Sequence, residues 1–119
     1  MSYLQPIRTA ATQNIHDNRA SELSRHILDE IQEYDAALDA EHEVGVQLVS
    51  FGQTVIFHLE GMKYANPSLI LFSGTLDTGE PVELIQHVSQ ISILLTKLRR
   101  RQPEKPKKPI GFHPVQGGD

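Results

Sequence analysis

The chain of 119 residues contains no cysteine and no tryptophan, and aromatic residues make up only 6% of it. Without cysteine there is no disulfide framework, and no thiolate can act as a nucleophile or a metal ligand. No apolar run approaches the roughly 18 residues that a membrane-spanning helix requires. Residues 1–6 carry neither the basic nor the apolar region of a secretory signal. We therefore expect a single cytoplasmic domain that makes no contact with a membrane.

Motifs of the common enzyme classes are also absent. The sequence has no Gly-x-Ser-x-Gly, no Walker loop and no dinucleotide fingerprint. Six histidines are present, but no pair has the spacing of a zinc finger or of an HExxH site. Glu41-His42-Glu43 is better interpreted as a solvated charge cluster at a helix end than as acid–base machinery. We predict no catalytic residues, no metal site and no cofactor.

Charge is distributed unevenly along the chain. The net charge of −4 combines residues 1–95, with four basic and thirteen acidic groups, and residues 96–119, with seven basic and two acidic groups. The first part therefore carries −9 and the second +5. A basic segment of this kind meets an anion, an acidic face of a partner, or the acidic part of its own chain.

Hydrophobic periodicity predicts a long helix over residues 17–41. Leu23, Ile27, Ile31 and Leu38 fall on one stripe, with acidic residues mostly elsewhere. At about 1.5 Å per residue this helix would be about 35 Å long, which exceeds the width of a small domain. We therefore expect it to pack against a second copy of the chain as well as against its own sheet. Residues 1–16 show little periodicity and are expected to form an arm.

Residues 44–87 are predicted to form a four-stranded antiparallel sheet. Alternating or β-branched runs are separated by short segments that contain glycine or proline. Short connections between successive strands favour an antiparallel meander. The predicted strands cover residues 46–51, 54–60 and 69–75 and a fourth run that Pro81 opens.

Two interpretations are open after His87. Val88, Ile91, Leu95 and Leu98 fall at helical spacing and favour a short helix over residues 88–100. Ile91-Ser92-Ile93 also alternates, so a fifth strand over residues 90–96 is the alternative. Residues 101–119 are predicted to be an extended, basic, proline-rich tail. The predicted fold class is α+β: a long N-terminal helix packed on a four-stranded antiparallel meander, a short second helix and this tail.

The basic tail is the main candidate for function. It could be solvated, pair with the acidic helix, or bind a small phosphorylated ligand, because arginine and lysine neutralise phosphates. Extended nucleic acid is disfavoured, since the body is acidic and the few aromatic residues do not interleave with the basic ones. Phe72 or Phe112 could stack on a purine base, and Gln86 and Gln90 could bond to sugar or base edges. Such a site would bind its ligand without catalysing a reaction.

Nearly the whole chain, including the long helix, the meander and the tail, resembles a known family, and the motifs that carry the resemblance lie in residues 84–112. Leu84-Ile85-Gln86-His87-Val88-Ser89-Gln90, then Leu94-Leu95, a basic proline stretch and Lys108-Pro109-Ile110-Gly111-Phe112 are similar to the first type of anti-Thoeris sponge, small phage proteins that inhibit Thoeris defence. The resemblance implies a homo-oligomer, a dimer or hexamer, in the cytoplasm of the infected bacterial host. It implies that glycocyclic ADP-ribose, a cyclic nucleotide immune signal, is bound and sequestered without cleavage. It further implies that some members hold cyclic oligonucleotides at separate sites.

The resemblance also implies a set of ligand-binding residues at a subunit interface. By position these are Arg25 of the helix, Gln90, and Lys107 or Lys108 before the Pro-Ile-Gly-Phe sequence. Lysine in place of arginine would weaken a bidentate phosphate contact. Two alternatives remain, a structural or adaptor protein whose tail binds an acidic partner, and a small hydrolase of the same nucleotides. The full set of predicted ligand-binding residues is Arg25, Phe72, Gln86, Gln90, Lys107, Lys108 and Phe112.

Overall fold

The computed structural model describes residues 17–113, which form one α-helix and one sheet of six strands. The strands follow the order β4-β3-β2-β1-β5, and β6 pairs with β2. All pairings are antiparallel except that of β6 with β2, which is parallel. No α-helix in this range is long and apolar enough to cross a membrane. The elements are α1 (Arg19–Ala36), β1 (His42–Ser50), β2 (Gln53–Ala65), β3 (Leu69–Thr75), β4 (Pro81–His87), β5 (Leu94–Arg99) and β6 (Gly111–Phe112).

Helix α1 packs one apolar stripe against the sheet. Ala20, Leu28 and Ile31 are buried, whereas Glu30 and Glu33 are exposed. The helix has 18 residues and is therefore about 27 Å long. It ends five residues before the predicted boundary. The argument that a long helix needs a second copy of the chain is therefore weaker than the sequence suggested.

The N-terminus of α1 is capped by a distant turn. Asn18 makes no side-chain capping bond. Instead the Ser21 N–H donates to Asn66 Oδ1 at 2.9 Å, and the Ala20 N–H donates to the Pro67 carbonyl at 3.0 Å. Two of the amide groups that a helix leaves unsatisfied at its start are thus bonded by the connection between β2 and β3. Because Asn66 and Pro67 lie more than 40 residues from the start of the helix, the local sequence gives no signal for this cap.

Asp39 shapes the turn from α1 into β1. Its Oδ1 accepts a hydrogen bond from the Glu41 N–H at 2.9 Å and lies 2.7 Å from His42 Nδ1. The hydrogen bond from His42, and then that from Glu41, hold the pKa of Asp39 below its usual range. These contacts therefore stabilise the folded chain at pH values above the ordinary pKa of a carboxyl group. This stabilisation is lost as the pH falls through the lowered pKa of Asp39.

The core lies between α1 and one face of the sheet. The register sets Val46 of β1 opposite Phe57 of β2, and Met62 of β2 opposite Phe72 of β3. All four side chains are at most 2% exposed. Residues directly opposite each other on neighbouring strands share a face. The register shift between Leu59 and Gly61 in β2 brings Met62 to the face of Phe57, which is the face that packs against Leu28 and Ile31 of the helix.

The predicted fold class is wrong after His87 and in its strand count. In place of a helix over residues 88–100, a 3-10 turn at Val88–Gln90 leads into β5, which pairs with β1 and sets Leu95 opposite Val46. Helical and strand patterns are hard to distinguish in a short apolar run. Here the segment forms a strand because it pairs with the otherwise unpaired edge of β1. The described sheet therefore has six strands rather than four. The alternative of a fifth strand is correct in type, although β5 covers residues 94–99.

The tail returns to the sheet. Ile110 is buried, and its carbonyl accepts a hydrogen bond from Gln32 Nε2 at 2.7 Å. Gly111 and Phe112 then form β6 beside Gly61 and Met62 of β2. Part of the predicted tail is thus built into the fold, while residues 1–16 and 114–119 lie outside the described residues.

Replacing Phe57 by alanine should lower the free energy of unfolding by about 3–5 kcal/mol, because the ring is buried and its removal leaves a cavity. Phe51→Ala is the matched control, since this ring is fully exposed in the β1–β2 turn, and it should change the stability by less than about 0.5 kcal/mol. Denaturant unfolding followed by circular dichroism measures both. Equal losses for the two variants would contradict the assigned core.

Candidate ligand-binding cleft

Residues 100–110, which we name the strap, connect β5 to β6 and cover one wall of a cavity of about 380 Å³. Small-molecule sites in proteins enclose about 300–1,000 Å³. Basic side chains of the strap line one side of the cavity, and residues of α1, β1 and β2 line the other. The cavity therefore lies where the basic end of the chain meets its acidic body.

Arg100 fixes the start of the strap. Its Nη1 donates to the Ala40 carbonyl at 2.8 Å and to the Pro103 carbonyl at 3.4 Å. Its Nη2 donates to the carbonyls of Gln102, at 3.4 Å, and of Lys105. Because backbone carbonyls occupy this guanidinium, Arg100 orders the strap and is not available to a ligand.

Lys107 fixes the strap against the end of α1. Its Nζ lies 3.3 Å from Asp35 Oδ1 and donates to the Asp35 carbonyl at 3.3 Å. Asp35 Oδ1 also accepts a hydrogen bond from the Val44 N–H at 3.0 Å, and the Asp35 side chain is only 16% exposed. The Lys107 ammonium is thus neutralised within the chain, which gives it a structural role.

Three other cations of the strap line the cavity without an ion pair among residues 17–113. These are Arg101, Lys105 and Lys108, and all three are exposed. Arg101 Nη2 would lie 3.3 Å from a Cβ placed on Gly79, so its guanidinium reaches the β3–β4 turn. Positive charge that the described residues do not neutralise is therefore concentrated along one wall.

His58 supports the opposite wall. Its Nδ1 lies 2.6 Å from Glu43 Oε2, and its Nε2 lies 2.6 Å from Asp77 Oδ1. Since an ionised carboxylate only accepts hydrogen bonds, both contacts are hydrogen bonds when both ring nitrogens carry a hydrogen. The His58 side chain is 5% exposed. This bridge joins β1, β2 and the β3–β4 turn and holds the wall in place.

Glu60 occupies the irregular position in β2. The pairing of β2 with β3 shifts register between Leu59 and Gly61, and Glu60 lies in this bulge. Its Oε2 accepts a hydrogen bond from Thr75 Oγ1 at 2.7 Å. A bulge redirects a side chain relative to the regular alternation, and here it places a carboxylate on the cavity wall.

Of the predicted ligand-binding residues, Lys107 and Lys108 line this cavity and the others do not. Arg25 lies on the helix surface, 3.9 Å from Glu22. Phe72 is fully buried in the core, where its ring faces are not accessible to a base.

The remaining predicted residues lie on other parts of the surface. Gln86 Oε1 accepts a hydrogen bond from the Ser92 N–H at 3.3 Å. Gln90 is exposed at the end of the 3-10 turn. The Phe112 ring packs edge-on against Tyr64, with 5.5 Å between ring centroids and 84° between planes. The fold of a single chain therefore does not bring these side chains together with the strap.

Arg101 and Lys105 belong to the predicted basic tail but are not among the predicted ligand-binding residues. His58 and Glu60 are not predicted to have any role in a site. His58 follows Phe57 in a strand rich in apolar residues, and alternation already assigns these neighbours to opposite faces. Its two carboxylate partners lie 15 residues upstream and 19 residues downstream, so no local signal indicates them.

Replacing Arg100 by alanine should increase amide exchange at the non-proline residues of the strap and lower the stability by about 1 kcal/mol, because hydrogen bonds to several carbonyls are lost. Arg99→Ala, at the neighbouring position that ends β5, is the matched control. Its side chain is 76% exposed, and within residues 17–113 its one ion pair is with Glu41, at 3.5 Å, so exchange in the strap should not change. Hydrogen exchange with mass spectrometry measures both variants, and equal exchange would contradict the role of Arg100.

Comparison with known proteins gives a family assignment. No curated protein and no solved structure matches the sequence significantly. Residues 13–113 match DUF6173, a family of unknown function, and this range includes the strap, the His58 bridge and Glu60. Because the match covers most of the chain, the protein belongs to the DUF6173 family.

Proposed function

We propose that this protein binds and sequesters a small cyclic nucleotide signal of the glycocyclic ADP-ribose type without cleaving it, and thereby blocks bacterial anti-phage defence. The observation that carries the proposal is the row of Arg101, Lys105 and Lys108, which line one cavity and have no ion pair in the described part of the chain. The resemblance to anti-Thoeris sponges, carried by the motifs of residues 84–112, provides the identity of the ligand. Binding of cyclic oligonucleotides at a separate site belongs to the same proposal.

The chemistry of the strap suits a diphosphate. Arginine offers a planar pair of donors to phosphate oxygens, and lysine adds compact positive charge. The strap is attached at Arg100 and at Ile110, so its cations are already confined to the cavity wall. Confinement reduces the conformational entropy that binding would otherwise remove.

The described residues favour binding over catalysis. Two serine–histidine contacts occur, Ser73 with His113 at 3.2 Å and Ser89 with His87 at 2.8 Å. Nucleophilic catalysis normally requires a third group that orients the base. In residues 17–113 neither histidine has a carboxylate partner, and neither serine lines the cavity. A hydrolase is therefore the weaker candidate.

We also propose that the chain functions as a homo-oligomer, a dimer or a hexamer. The sheet face opposite α1 exposes Ile56 and Leu94, 40% and 58% exposed, on either side of Gln47. An apolar groove of about 240 Å³ lies between α1 and residues 91–95. Apolar surface of this kind supports contact with a second copy.

Incubation with glycocyclic ADP-ribose, removal of the protein by ultrafiltration and then heat release tests the proposal. We expect the free ligand to be depleted and to return chemically intact after heating. Native mass spectrometry of the same sample counts the chains and bound ligands. A cleaved product would indicate a hydrolase, and a ligand that stays free throughout would indicate an adaptor whose basic strap binds an acidic protein.

Charge reversal of the strap should abolish binding. Lys105→Glu combined with Lys108→Glu removes two candidate phosphate contacts and adds repulsion, so affinity for glycocyclic ADP-ribose should fall by about 100-fold or more. Isothermal titration calorimetry measures the affinity.

The matched control combines Arg19→Glu with Lys97→Glu, which makes the same change in net charge at exposed positions outside the cavity. We expect its affinity to stay within about threefold of the wild type, because exposed charges at a distance are screened by salt. Equal losses in both double variants would indicate a general charge effect and would count against the strap as the phosphate site.

A further inference from the structure

Glu60 differs from the other two carboxylates that line the cavity wall. Asp35 is neutralised by Lys107, and Glu43 lies against His58. Glu60 has no basic partner in the described part of the chain, although Arg101, Lys105 and Lys108 line the same cavity. A site evolved only for inorganic phosphate gains nothing from this carboxylate, since it repels the anion.

One of the two oxygens of the Glu60 carboxylate accepts a hydrogen bond from the protein. Thr75 is 8% exposed, and its hydroxyl donates to Glu60 Oε2 at 2.7 Å. This hydrogen bond fixes the carboxylate and leaves Oε1 without a partner among residues 17–113. A fixed carboxylate oxygen facing a cavity is an acceptor for hydroxyl or amine hydrogens of a ligand.

The cavity thus combines, on one wall, cations that form no ion pair with the described residues and, on the other wall, the Glu60 carboxylate as an acceptor. A ligand that satisfies both walls has phosphate groups at one end and hydrogen-bond donors at the other, which is the chemistry of a sugar phosphate. Acidic residues that bind ribose hydroxyls beside a bound pyrophosphate serve the same purpose in dinucleotide-binding folds.

We propose that Glu60 accepts hydrogen bonds from the ribose hydroxyls of a ligand whose phosphates lie on the strap, so that the site selects ribose-containing phosphates over free phosphate or pyrophosphate. The inference rests on the proposed function of this cavity. Glu60 then determines specificity, while the strap supplies affinity for the phosphates.

Glu60→Gln tests the inference. Glutamine keeps the length of the side chain and an oxygen that accepts the Thr75 hydrogen, but it loses the charge. Calorimetry on the full chain compares glycocyclic ADP-ribose with inorganic pyrophosphate as probes. We expect about tenfold weaker binding of the ribose-containing probe and unchanged or tighter binding of pyrophosphate, because a charged acceptor is lost while a repulsive charge disappears.

Glu33→Gln, an exposed helix position outside the cavity, is the matched control and should leave both affinities unchanged. Glu60→Asp withdraws the carboxylate by one methylene group and should also weaken the ribose-containing probe selectively. This second variant decides the question if thermal melting shows that Glu60→Gln is unfolded.

Each other outcome contradicts the inference. Unchanged binding of glycocyclic ADP-ribose by Glu60→Gln, or equal weakening of both probes, overturns the role of Glu60 and leaves the proposed function intact. Failure of the wild-type chain to bind glycocyclic ADP-ribose overturns both.

Discussion

Attachment of the strap at both ends is the constraint on which the candidate site depends. At one end the Arg100 guanidinium bonds backbone carbonyls of the strap and of the connection before β1. At the other end Ile110 is buried and bonded to Gln32. A polar, proline-rich segment has little apolar surface of its own to bury, so these contacts take the place of a core. Without them the basic residues would have no fixed position relative to the sheet.

Charged side chains of the same sign have different roles around the cavity. Arg100 and Lys107 are occupied by carbonyl groups and by Asp35, and they hold the backbone. Arg101, Lys105 and Lys108 have no ion pair among residues 17–113 and are the phosphate contacts of the proposed site. On the opposite wall Glu43 contacts His58, whereas Glu60 keeps one oxygen that has no partner within residues 17–113. Residue type alone does not distinguish the two roles.

The sequence predicts those parts of the structure that local patterns determine. The third strand, over residues 69–75, is correct to the residue, and the fourth begins at Pro81 as expected. The identity of β5 is decided by pairing with β1, about 50 residues away, and the cap of α1 comes from Asn66. The sequence predicts the basic tail as a candidate site. Which of its cations are neutralised depends on Asp35 and on the carbonyls around Arg100. These are long-range contacts that a single sequence does not reveal.

The parallel pairing of β6 has a consequence for solubility. β2 has 13 residues, and its pairing with β1 covers only the part up to His58, so the remainder of that side would present unpaired backbone groups. Gly111 and Phe112, followed by the His113 N–H bonded to the Met62 carbonyl at 2.7 Å, close part of this gap. Exposed strand edges promote aggregation between molecules. The two residues of β6 therefore shield part of the β2 edge, and a chain truncated before Gly111 would expose that edge and become prone to aggregate.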